Sequence, residues 1–233
     1  MKTKEFTIFL QKLLNYIARL FMALSRKLGS RNSLTLSGDR DIEWSWVLAN
    51  LPQDSTVLDF GPGPFQLISS VAARKGCNVT CFDVRCSEVF MEMDNINYVY
   101  GDVSYYDFKG QKFDCITNAS TIEHVGLTRY GDSAVNDGDI KAMSLLRSLL
   151  KPKGRMLLTI PVGKDTVHGH LHRVYGNERL PMLLNGFLEV KCEFWIKSNV
   201  KVWQRVSKEL ALQTKSTPYY YALGLFVLEP RVQ

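Results

Sequence analysis

The chain has 233 residues, a length typical of one globular domain with a short extension. Hydrophobic residues make up 45% and charged residues 22%, which excludes a disordered chain, a collagen-like repeat and a disulfide-dense miniprotein. The net charge of +6 resides in residues 1–31, and the neutral body does not fit a surface that neutralises many phosphates, so we expect no nucleic-acid partner.

Residues 1–30 carry the pattern of a basic amphipathic helix. Apolar side chains recur at alternating steps of four and three: Phe6, Leu10, Leu13, Ile17, Leu20 and Leu24. Lys12 and Arg19 interrupt the apolar stretch before it reaches the roughly 20 residues that span a bilayer. Two interpretations are open: the helix lies in the headgroup region of an anionic membrane, or it packs on protein, including a second copy of the chain.

Residues 31–40 are predicted to form a linker and residues 41–233 a single domain. Five cysteines without a Cys-x-x-Cys pair indicate neither a disulfide framework nor a zinc site, and they favour a reducing, cytoplasmic location. Strand-like and helix-like runs then alternate, which predicts a parallel sheet covered by helices. The predicted helices are 41–51, 66–75 and 139–150, and the predicted strands are 56–60, 78–84, 96–100, 113–117, 155–160, 187–197 and 219–228, the last two as an antiparallel pair.

The first of these strands ends in a glycine turn that leads into a helix. Gly61 and Gly63 allow a ligand to approach the backbone, and the helix N-terminus behind them offers unpaired N–H groups. Asp59, two positions before Gly61, can attract an ammonium group and would be an unusual neighbour for a pyrophosphate. A dinucleotide-binding turn needs a further glycine where this chain has Gln66, so a dehydrogenase is the weaker alternative.

Two further acids follow the next two strands, each about one strand–helix unit along the chain. Asp83 ends the second strand, where a carboxylate can accept both hydroxyls of a ribose. Asp102 follows the third strand, in reach of an adenine amino group. Each acid alone also fits an ordinary turn, but acids at three strand ends predict a shared edge that binds a charged nucleoside.

On these residues, the segment 41–230 resembles the class I S-adenosylmethionine-dependent methyltransferases. The resemblance implies a Rossmann-like α/β fold: a seven-stranded, mostly parallel sheet with an antiparallel last strand and helices on both faces. It also implies S-adenosylmethionine as the cofactor. The cofactor-binding residues that it implies are Asp59, Gly61, Gly63, Asp83, Val84, Asp102, Val103 and Asn118. One departure is Phe65, which stands where the family frequently has a third glycine.

A narrower resemblance lies in residues 122–132 and 172–176. Both segments are similar to a bacterial family of methyltransferase-like proteins associated with surface-glycan synthesis, which implies a sugar or glycan-like acceptor. The stretch 118–121 reads Asn-Ala-Ser-Thr and lacks the Asn/Asp-Pro-Pro-Tyr signature of base-amino methylation, which again disfavours nucleic acid.

His124 is the predicted catalytic base, because it follows the fourth strand at the ligand-binding edge and a hydroxyl acceptor must lose its proton. Glu123 is predicted to orient the imidazole ring or to bind sugar hydroxyls. The alternative for His124 is a structural one, in which it caps a turn or satisfies buried polar groups.

No metal is expected, although two groups of residues have suitable chemistry. His168, His170 and His172 would share one side of an extended segment and could bind zinc. An acceptor pocket is the preferred place for His172 and Arg173. Three acids, Asp132, Asp137 and Asp139, could hold a hard cation, but the last two fit a turn and a helix start better.

The sequence therefore predicts an S-adenosylmethionine-dependent methyltransferase that O-methylates a sugar or glycan-like acceptor. One alternative is a non-catalytic, membrane-associated scaffold with the same fold, and the less favoured one is a nicotinamide-dependent dehydrogenase. The predicted location is cytoplasmic, and the membrane interpretation of residues 1–30 would make the protein peripheral on the inner face of the membrane.

Overall fold

In the computed structural model, the described residues are Leu13, Tyr16, Ile17, Leu20, 38–64, 66–86, 93–198 and 202–231. The chain divides into two units, Met1–Leu34 and Thr35–Gln233. In the first unit the four described residues are helical and exposed. The rest of the predicted amphipathic helix, and residues 31–37 of the predicted linker, lie outside the described residues. No helix among the described residues is long and apolar enough to cross a membrane.

The second unit alternates helices and strands. Its helices are α1 (Asp39–Asn50), α2 (Leu67–Arg74), α3 (Gly138–Leu149), α4 (Arg179–Leu183) and α5 (Lys208–Leu212), with a short 3-10 turn at Ile122–His124. Its strands are β1 (Thr56–Phe60), β2 (Asn78–Asp83), β3 (Ile96–Tyr100), β4 (Phe113–Ala119), β5 (Leu150–Val162), β6 (Thr166–His168), β7 (His172–Val174), β8 (Phe187–Lys197), β9 (Trp203–Val206) and β10 (Ala222–Pro230). Helix α1 begins at Asp39, two residues inside the predicted linker.

The main sheet has the strand order β3-β2-β1-β4-β5-β10-β8-β9. Strands β1 to β5 pair in parallel, and β10 runs antiparallel to both of its neighbours. The predicted Rossmann-like fold with a reversed last strand is therefore confirmed. The sheet has eight strands rather than the predicted seven, because β9 pairs with Phe194–Lys197 at the edge. Strand β9 has only four residues, all at least partly exposed, so apolar periodicity does not reveal it.

Each face of the sheet has its own apolar core. Val57 of β1 packs in one core with Val47 of α1 and Ile68 of α2. The next residue, Leu58, packs in the other core with Met143 of α3. Because helices cover both faces, consecutive residues of the central strands β1 and β4 are buried rather than alternately buried and exposed. Their parallel pairing brings the carboxyl ends of β1 to β4 to one edge of the sheet.

Residues 151–154, which separate the predicted helix 139–150 from the predicted strand 155–160, lie inside β5. Helix α3 ends at Leu149, and Leu150 already pairs with Phe113 of β4. The pairing shifts register between Phe113 and Cys115, and Lys153 adopts φ 69°. The turn-forming residues are thus accommodated as an irregularity within the strand.

A short hairpin of β6 and β7 follows β5. His168 lies directly opposite His172 across this hairpin, and the chain reverses through residues 169–171. Gly169 has φ 56°, a backbone conformation that glycine adopts without strain. The three histidines therefore do not share one side of an extended segment, contrary to the expectation from their spacing.

Candidate functional site

A cavity of about 260 Å³ opens at the carboxyl edge of the sheet, across the ends of β1, β2, β3 and β4. Its wall contains the glycine turn and the residues that follow the next three strands. The predicted site residues in this wall are Asp59, Gly61, Gly63, Asp83, Val84, Asp102, Val103 and His124. Two predicted residues, Asn118 and Glu123, lie outside the wall.

The turn after β1 depends on its two glycines in different ways. Gly61 (φ 72°) and Gly63 (φ 64°) both adopt the left-handed backbone region. A Cβ on Gly61 would overlap the Thr121 side chain, whereas a Cβ on Gly63 would meet no atom within 4 Å. Gly61 therefore permits close packing of two chain segments, and Gly63 leaves open backbone in the cavity wall.

Asp59 is a buried carboxyl group at the end of β1. It accepts hydrogen bonds from the hydroxyls of Ser69 on α2 (2.5 Å) and Thr117 on β4 (2.7 Å). Burial raises the pKa of Asp59, and the two hydroxyl donors oppose that shift. Asp59 thus joins three elements immediately before the glycine turn.

Asp83 and Arg85 link the two walls of the cavity. Asp83 Oδ1 accepts from the Arg85 backbone N–H (3.0 Å) and from Arg85 Nε (3.4 Å), and Gly63 donates to Oδ2 (3.4 Å). The Arg85 guanidinium carbon lies 4.2 Å from the centre of the Tyr130 ring, in the loop after β4. A cation in this position is attracted by the electron-rich face of the ring.

Asp102 ties the turn after β3 to the loop after β4. Its carboxylate accepts the backbone N–H groups of Ser104 (2.9 Å) and Ser133 (2.8 Å). Burial acts to raise the pKa of Asp102, but these hydrogen bonds outweigh it, and the net shift is downward. An adenine amino group, as predicted for Asp102, would share oxygens that already accept hydrogen bonds. Val103 adds buried apolar surface beside it.

Asn118 does not reach the cavity, in contrast to its predicted cofactor contact. It is fully buried in β4, and its Oδ1 accepts the backbone N–H of Ile122 (3.2 Å). Asn118 therefore fixes the 3-10 turn that carries His124. The cavity wall is formed instead by the next residues, Ala119, Ser120 and Thr121.

His124 stands in the wall with 12% of its side chain exposed. Its Nδ1 lies 2.6 Å from the Leu171 carbonyl oxygen, an acceptor, and 3.3 Å from the donor Arg129 Nη1; because the contact with the acceptor is much shorter, we assign the ring proton to Nδ1 and the free lone pair to Nε2. Burial lowers the pKa of His124 to about 3, with nearby Arg129 acting in the same direction. The imidazole is therefore neutral at neutral pH and can accept a proton at Nε2.

Glu123 lies behind His124, with 2% of its side chain exposed. Burial raises the pKa of Glu123 to about 8, so its carboxyl group is protonated at neutral pH. Oε1 lies 3.6 Å from His124 Nε2, too far for a hydrogen bond. Oε2 has no hydrogen-bond partner within the described part of the chain. At this distance Glu123 makes no hydrogen bond to the ring, and its burial keeps the carboxyl group from direct contact with a sugar in the cavity.

Several wall residues were not predicted as site residues from the sequence, and among them Arg40, Trp44 and Tyr130 add a cation and two aromatic rings. Arg40 and Trp44 belong to α1, which the sequence analysis treated only as a covering helix. Arg40 Nη1 donates to Glu43 (2.9 Å) and to the Ala119 carbonyl (3.4 Å), which places this cation at the end of β4.

Glu43 gave a signal that could have revealed this role of α1. It shares the buried face of the helix with Trp46 and Val47, and an acid on an apolar face indicates buried partners. Those partners are the hydroxyls of Ser120 and Thr159, both of which donate to Oε1. Burial raises the pKa of Glu43, and Arg40 opposes that shift.

The acids considered for a cation site are held by other groups. Asp132 accepts the backbone N–H of Gly126 (2.7 Å). Asp137 and the fully buried Asp139 both pair with Arg179, at 3.0 and 2.6 Å. Among the residues that the structure describes, no group of three or more His, Cys, Asp or Glu side chains could hold a metal ion.

His172 and Arg173 were predicted for an acceptor pocket, but they lie outside the cavity wall. Arg173 is buried, donates to the Val125 carbonyl (2.7 Å) and lies 3.6 Å from Asp139. The His172 ring centre is 6.3 Å from that of His124, and burial lowers the pKa of His172 to about 4. These residues support the segment that carries His124.

Many solved structures are similar to the chain, among them three methyltransferases with TM-scores above 0.5. The Burkholderia thailandensis 1,6-didemethyltoxoflavin-N1-methyltransferase, with bound 1,6-didemethyltoxoflavin and S-adenosylhomocysteine, has a TM-score of 0.56 and 18% identity over 92% of this chain and 90% of that one. The CcbJ methyltransferase from Streptomyces caelestis has a TM-score of 0.53 and 13% identity over 83% of this chain and 90% of that one. The N-methyltransferase NodS from Bradyrhizobium japonicum has a TM-score of 0.51 and 15% identity over 84% of this chain and 96% of that one. At such identities the similarity establishes the fold.

No curated protein matches the chain. A family model, described as "Caenorhabditis protein of unknown function, DUF268", matches residues 76–223, more than half of the sequence. The matched span includes Asp83, Asp102 and His124 of the cavity wall. The chain therefore belongs to the DUF268 family, and it has the fold of S-adenosylmethionine-dependent methyltransferases.

Proposed function

We propose that this protein transfers a methyl group from S-adenosylmethionine to a hydroxyl oxygen of a sugar or glycan-like acceptor. The observation that carries the proposal is one continuous cavity that contains both the glycine turn with Asp83 and the His124 imidazole. The methyltransferase fold supports the choice of cofactor, as does the S-adenosylhomocysteine bound to the Burkholderia enzyme.

The residues present fit the cofactor. Gly63 leaves open backbone for a ligand, and Asp83 Oδ2, which accepts a long 3.4 Å hydrogen bond from Gly63, can accept ribose hydroxyls while Oδ1 keeps Arg85. Phe82 and Val103 offer apolar surface to a purine, and Asp59 places a carboxyl group where an ammonium group would be attracted. When bound, S-adenosylmethionine supplies an electrophilic methyl group on a positively charged sulfur.

His124 can remove the acceptor proton despite its low pKa. A neutral hydroxyl that gains a methyl group becomes a protonated ether, which is a far stronger acid than an imidazolium with a pKa of about 3. Nε2 can therefore accept the proton as the new bond forms. The Nδ1 hydrogen bond to Leu171 fixes the ring, so the base is held in place before the acceptor arrives.

The wall near His124 has the chemistry of a carbohydrate site. Trp44 and Tyr130 contribute aromatic surface, and the C–H groups of a sugar ring pack favourably on an electron-rich aromatic face. Arg40 contributes hydrogen-bond donors for hydroxyl groups. The similarity of residues 122–132 and 172–176 to proteins associated with surface-glycan synthesis supports the same acceptor class.

Calorimetry on the full chain tests the cofactor. We expect binding of both S-adenosylmethionine and S-adenosylhomocysteine, and Asp83→Asn should weaken each by roughly 10-fold or more, since it removes a charged hydrogen-bond acceptor. Asp94→Asn, at an exposed position in the turn before β3, is the matched control and should bind normally. A folded protein that binds neither ligand contradicts the proposal, and binding of a nicotinamide cofactor instead would favour the dehydrogenase.

A screen with labelled donor tests the acceptor. Nucleotide sugars and cell-envelope oligosaccharides should gain label, and nitrogen heterocycles of the kind that the Burkholderia enzyme methylates serve as a second panel. If only the nitrogen heterocycles gain label, the sugar acceptor is wrong but S-adenosylmethionine is still the cofactor. Cofactor binding without label in either panel would favour the non-catalytic scaffold.

A further inference from the structure

We propose that residues 1–31 bind the surface of an anionic phospholipid membrane. In this segment Leu13, Tyr16, Ile17 and Leu20 are helical, and they are 42%, 61%, 38% and 51% exposed. Their steps of three, one and three residues place all four on one face of a helix. Four large apolar side chains exposed on one face mark a surface that is covered by another apolar phase. We call these four residues the N-terminal stripe.

The charge of the segment selects the partner. Seven of the 29 basic residues and one of the 23 acids lie in residues 1–31, and the rest of the chain is balanced. In the sequence, Lys12 directly precedes Leu13 and Arg19 directly precedes Leu20, so two of these basic residues are next to residues of the N-terminal stripe. Long basic side chains beside an apolar stripe reach lipid phosphates while the stripe enters the headgroup region.

Other occupants fit these observations less well. Two copies of the segment would bring two strongly basic surfaces together, so charge opposes self-association. Nucleic acid would pair with the cations but would leave the N-terminal stripe in water. A transmembrane position is excluded by Lys12 and Arg19, which interrupt the apolar stretch before about 20 residues. Binding along an anionic leaflet accounts for both observations, because the N-terminal stripe enters the headgroup region and the basic side chains reach lipid phosphates.

Vesicle co-sedimentation of the full chain tests this proposal without reference to any activity. The probes are vesicles of phosphatidylcholine alone and of phosphatidylcholine with phosphatidylglycerol. We expect binding to the second composition and little to the first, and binding should weaken as salt screens the charges. Ile17→Glu with Leu20→Glu should weaken it by roughly 30-fold or more, because two acids replace apolar groups that enter the lipid.

Two further variants separate the N-terminal stripe from general effects. Met182→Glu with Leu210→Glu makes the same change in charge at exposed apolar positions of α4 and α5 and should bind like wild type. Lys12→Glu with Arg19→Glu leaves the N-terminal stripe intact and should also weaken binding by roughly 30-fold or more. Circular dichroism verifies that each variant is folded.

The outcomes distinguish the occupants. Loss of binding in both N-terminal variants, with retention in the control, supports the proposal. Absence of binding, equal binding to neutral vesicles, or binding that survives Ile17→Glu with Leu20→Glu overturns it. A different result would identify the N-terminal stripe as a dimer interface. In that case the full chain does not bind vesicles, is a dimer by light scattering, and becomes a monomer on Ile17→Glu with Leu20→Glu.

Discussion

The two sides of the cavity are assembled in different ways. We call the side formed by residues 59–63, 83–85 and 102–103 the cofactor side, and the side formed by Arg40, Trp44, Thr121, His124 and Tyr130 the acceptor side. On the cofactor side, the contacts of Asp83 join residues 2 and 20 positions apart. On the acceptor side, Glu43 reaches Thr159 across 116 positions, and His124 reaches Leu171 across 47. A local chain motif therefore places Asp83 and the glycine turn, although Asp59 on the same side reaches Thr117 across 58 positions, whereas contacts between distant segments place the acceptor side.

The two sides also differ in how completely their buried polar groups are paired. Asp59 and Asp102 accept hydrogen bonds at both carboxyl oxygens. Near the acceptor side, Glu123 Oε2, His172 Nε2 and Asn118 Nδ2 are buried and have no hydrogen-bond partner among the described residues. Unpaired buried groups are rare because each costs stability, and they concentrate where a site has a functional demand.

The largest expected effect separates the two sides functionally. His124→Ala should reduce turnover by about 10² to 10⁴, the usual contribution of a placed base, and leave S-adenosylmethionine affinity within about twofold. Single-turnover kinetics with labelled donor and calorimetry on the same sample measure the two quantities. The pH profile adds a check, because the wild-type base has a pKa of about 3 and turnover should be flat across neutral pH. Unchanged turnover in the variant would assign His124 a structural role.

A stability change should follow when the support of the acceptor side is removed. Asp139 is fully buried and accepts from Arg179 (2.6 Å) and Tyr175 (3.1 Å), with Arg173 at 3.6 Å. Asp139→Ala leaves the buried Arg173 without its counter-charge and should lower the free energy of unfolding by about 3 to 5 kcal/mol in urea titrations.

Asp137→Ala is the control for that substitution. Asp137 also pairs with Arg179, but 57% of its side chain is exposed, so the cost should be below about 1 kcal/mol. An equal loss in the free energy of unfolding for the two variants would show that the contacts of Asp139 stabilise this region no more than the exposed Asp137 pair does.

The pH dependence of stability should report the buried carboxyl of Glu123. Its pKa in the folded protein, about 8, lies above the ordinary value of 4.5, so the folded state binds the proton more tightly. The resulting stability is fully present below about pH 4.5 and is lost as the pH rises through about 8. Glu123→Gln cannot ionise, and between about pH 5 and 9 it should gain on the order of 2 to 4 kcal/mol relative to wild type.

His124 should produce the opposite slope. Its folded pKa of about 3 lies below the ordinary 6.5, so its contribution is present above about pH 6.5 and is lost as the pH falls toward 3. Urea titrations from about pH 3 to 8 measure both the His124 slope and the Glu123 slope. A wild-type stability that does not fall relative to Glu123→Gln between about pH 5 and 8 would show that Glu123 is already ionised in the folded protein.

The same comparison explains what could be predicted from the sequence. The cofactor side follows from acids and glycines at strand ends, since parallel pairing alone brings those ends to one edge. Arg40 and Trp44 could not be placed, because their position depends on where α1 packs. Asn118 was assigned to the site by the family resemblance and Glu123 by its position beside His124, but burial in β4 and in the 3-10 turn keeps both away from the cavity.

Strand β9 and the β6–β7 hairpin were missed for a related reason. Both are short, and their pairing partners rather than their own periodicity define them. The predicted break at residues 151–154, between helix 139–150 and strand 155–160, is instead an irregularity within β5, because the chain on both sides of it pairs with β4. Sequence patterns therefore predicted the positions that depend on the end of a single strand. They did not predict the positions that depend on how two distant segments pair or pack.

The smallest expected effect tests whether the two sides act together. Arg85 contacts Asp83 on the cofactor side and the Tyr130 ring on the acceptor side, 4.2 Å away. Tyr130→Ala removes a cation–π contact worth about 0.5 to 1 kcal/mol at an exposed site, so S-adenosylhomocysteine should dissociate roughly two- to fivefold faster in stopped-flow experiments. Tyr130→Phe keeps the aromatic face and should dissociate at nearly the wild-type rate. If Tyr130→Ala leaves dissociation unchanged, ligand binding at Asp83 has already displaced Arg85, and the bridge exists only in the free protein.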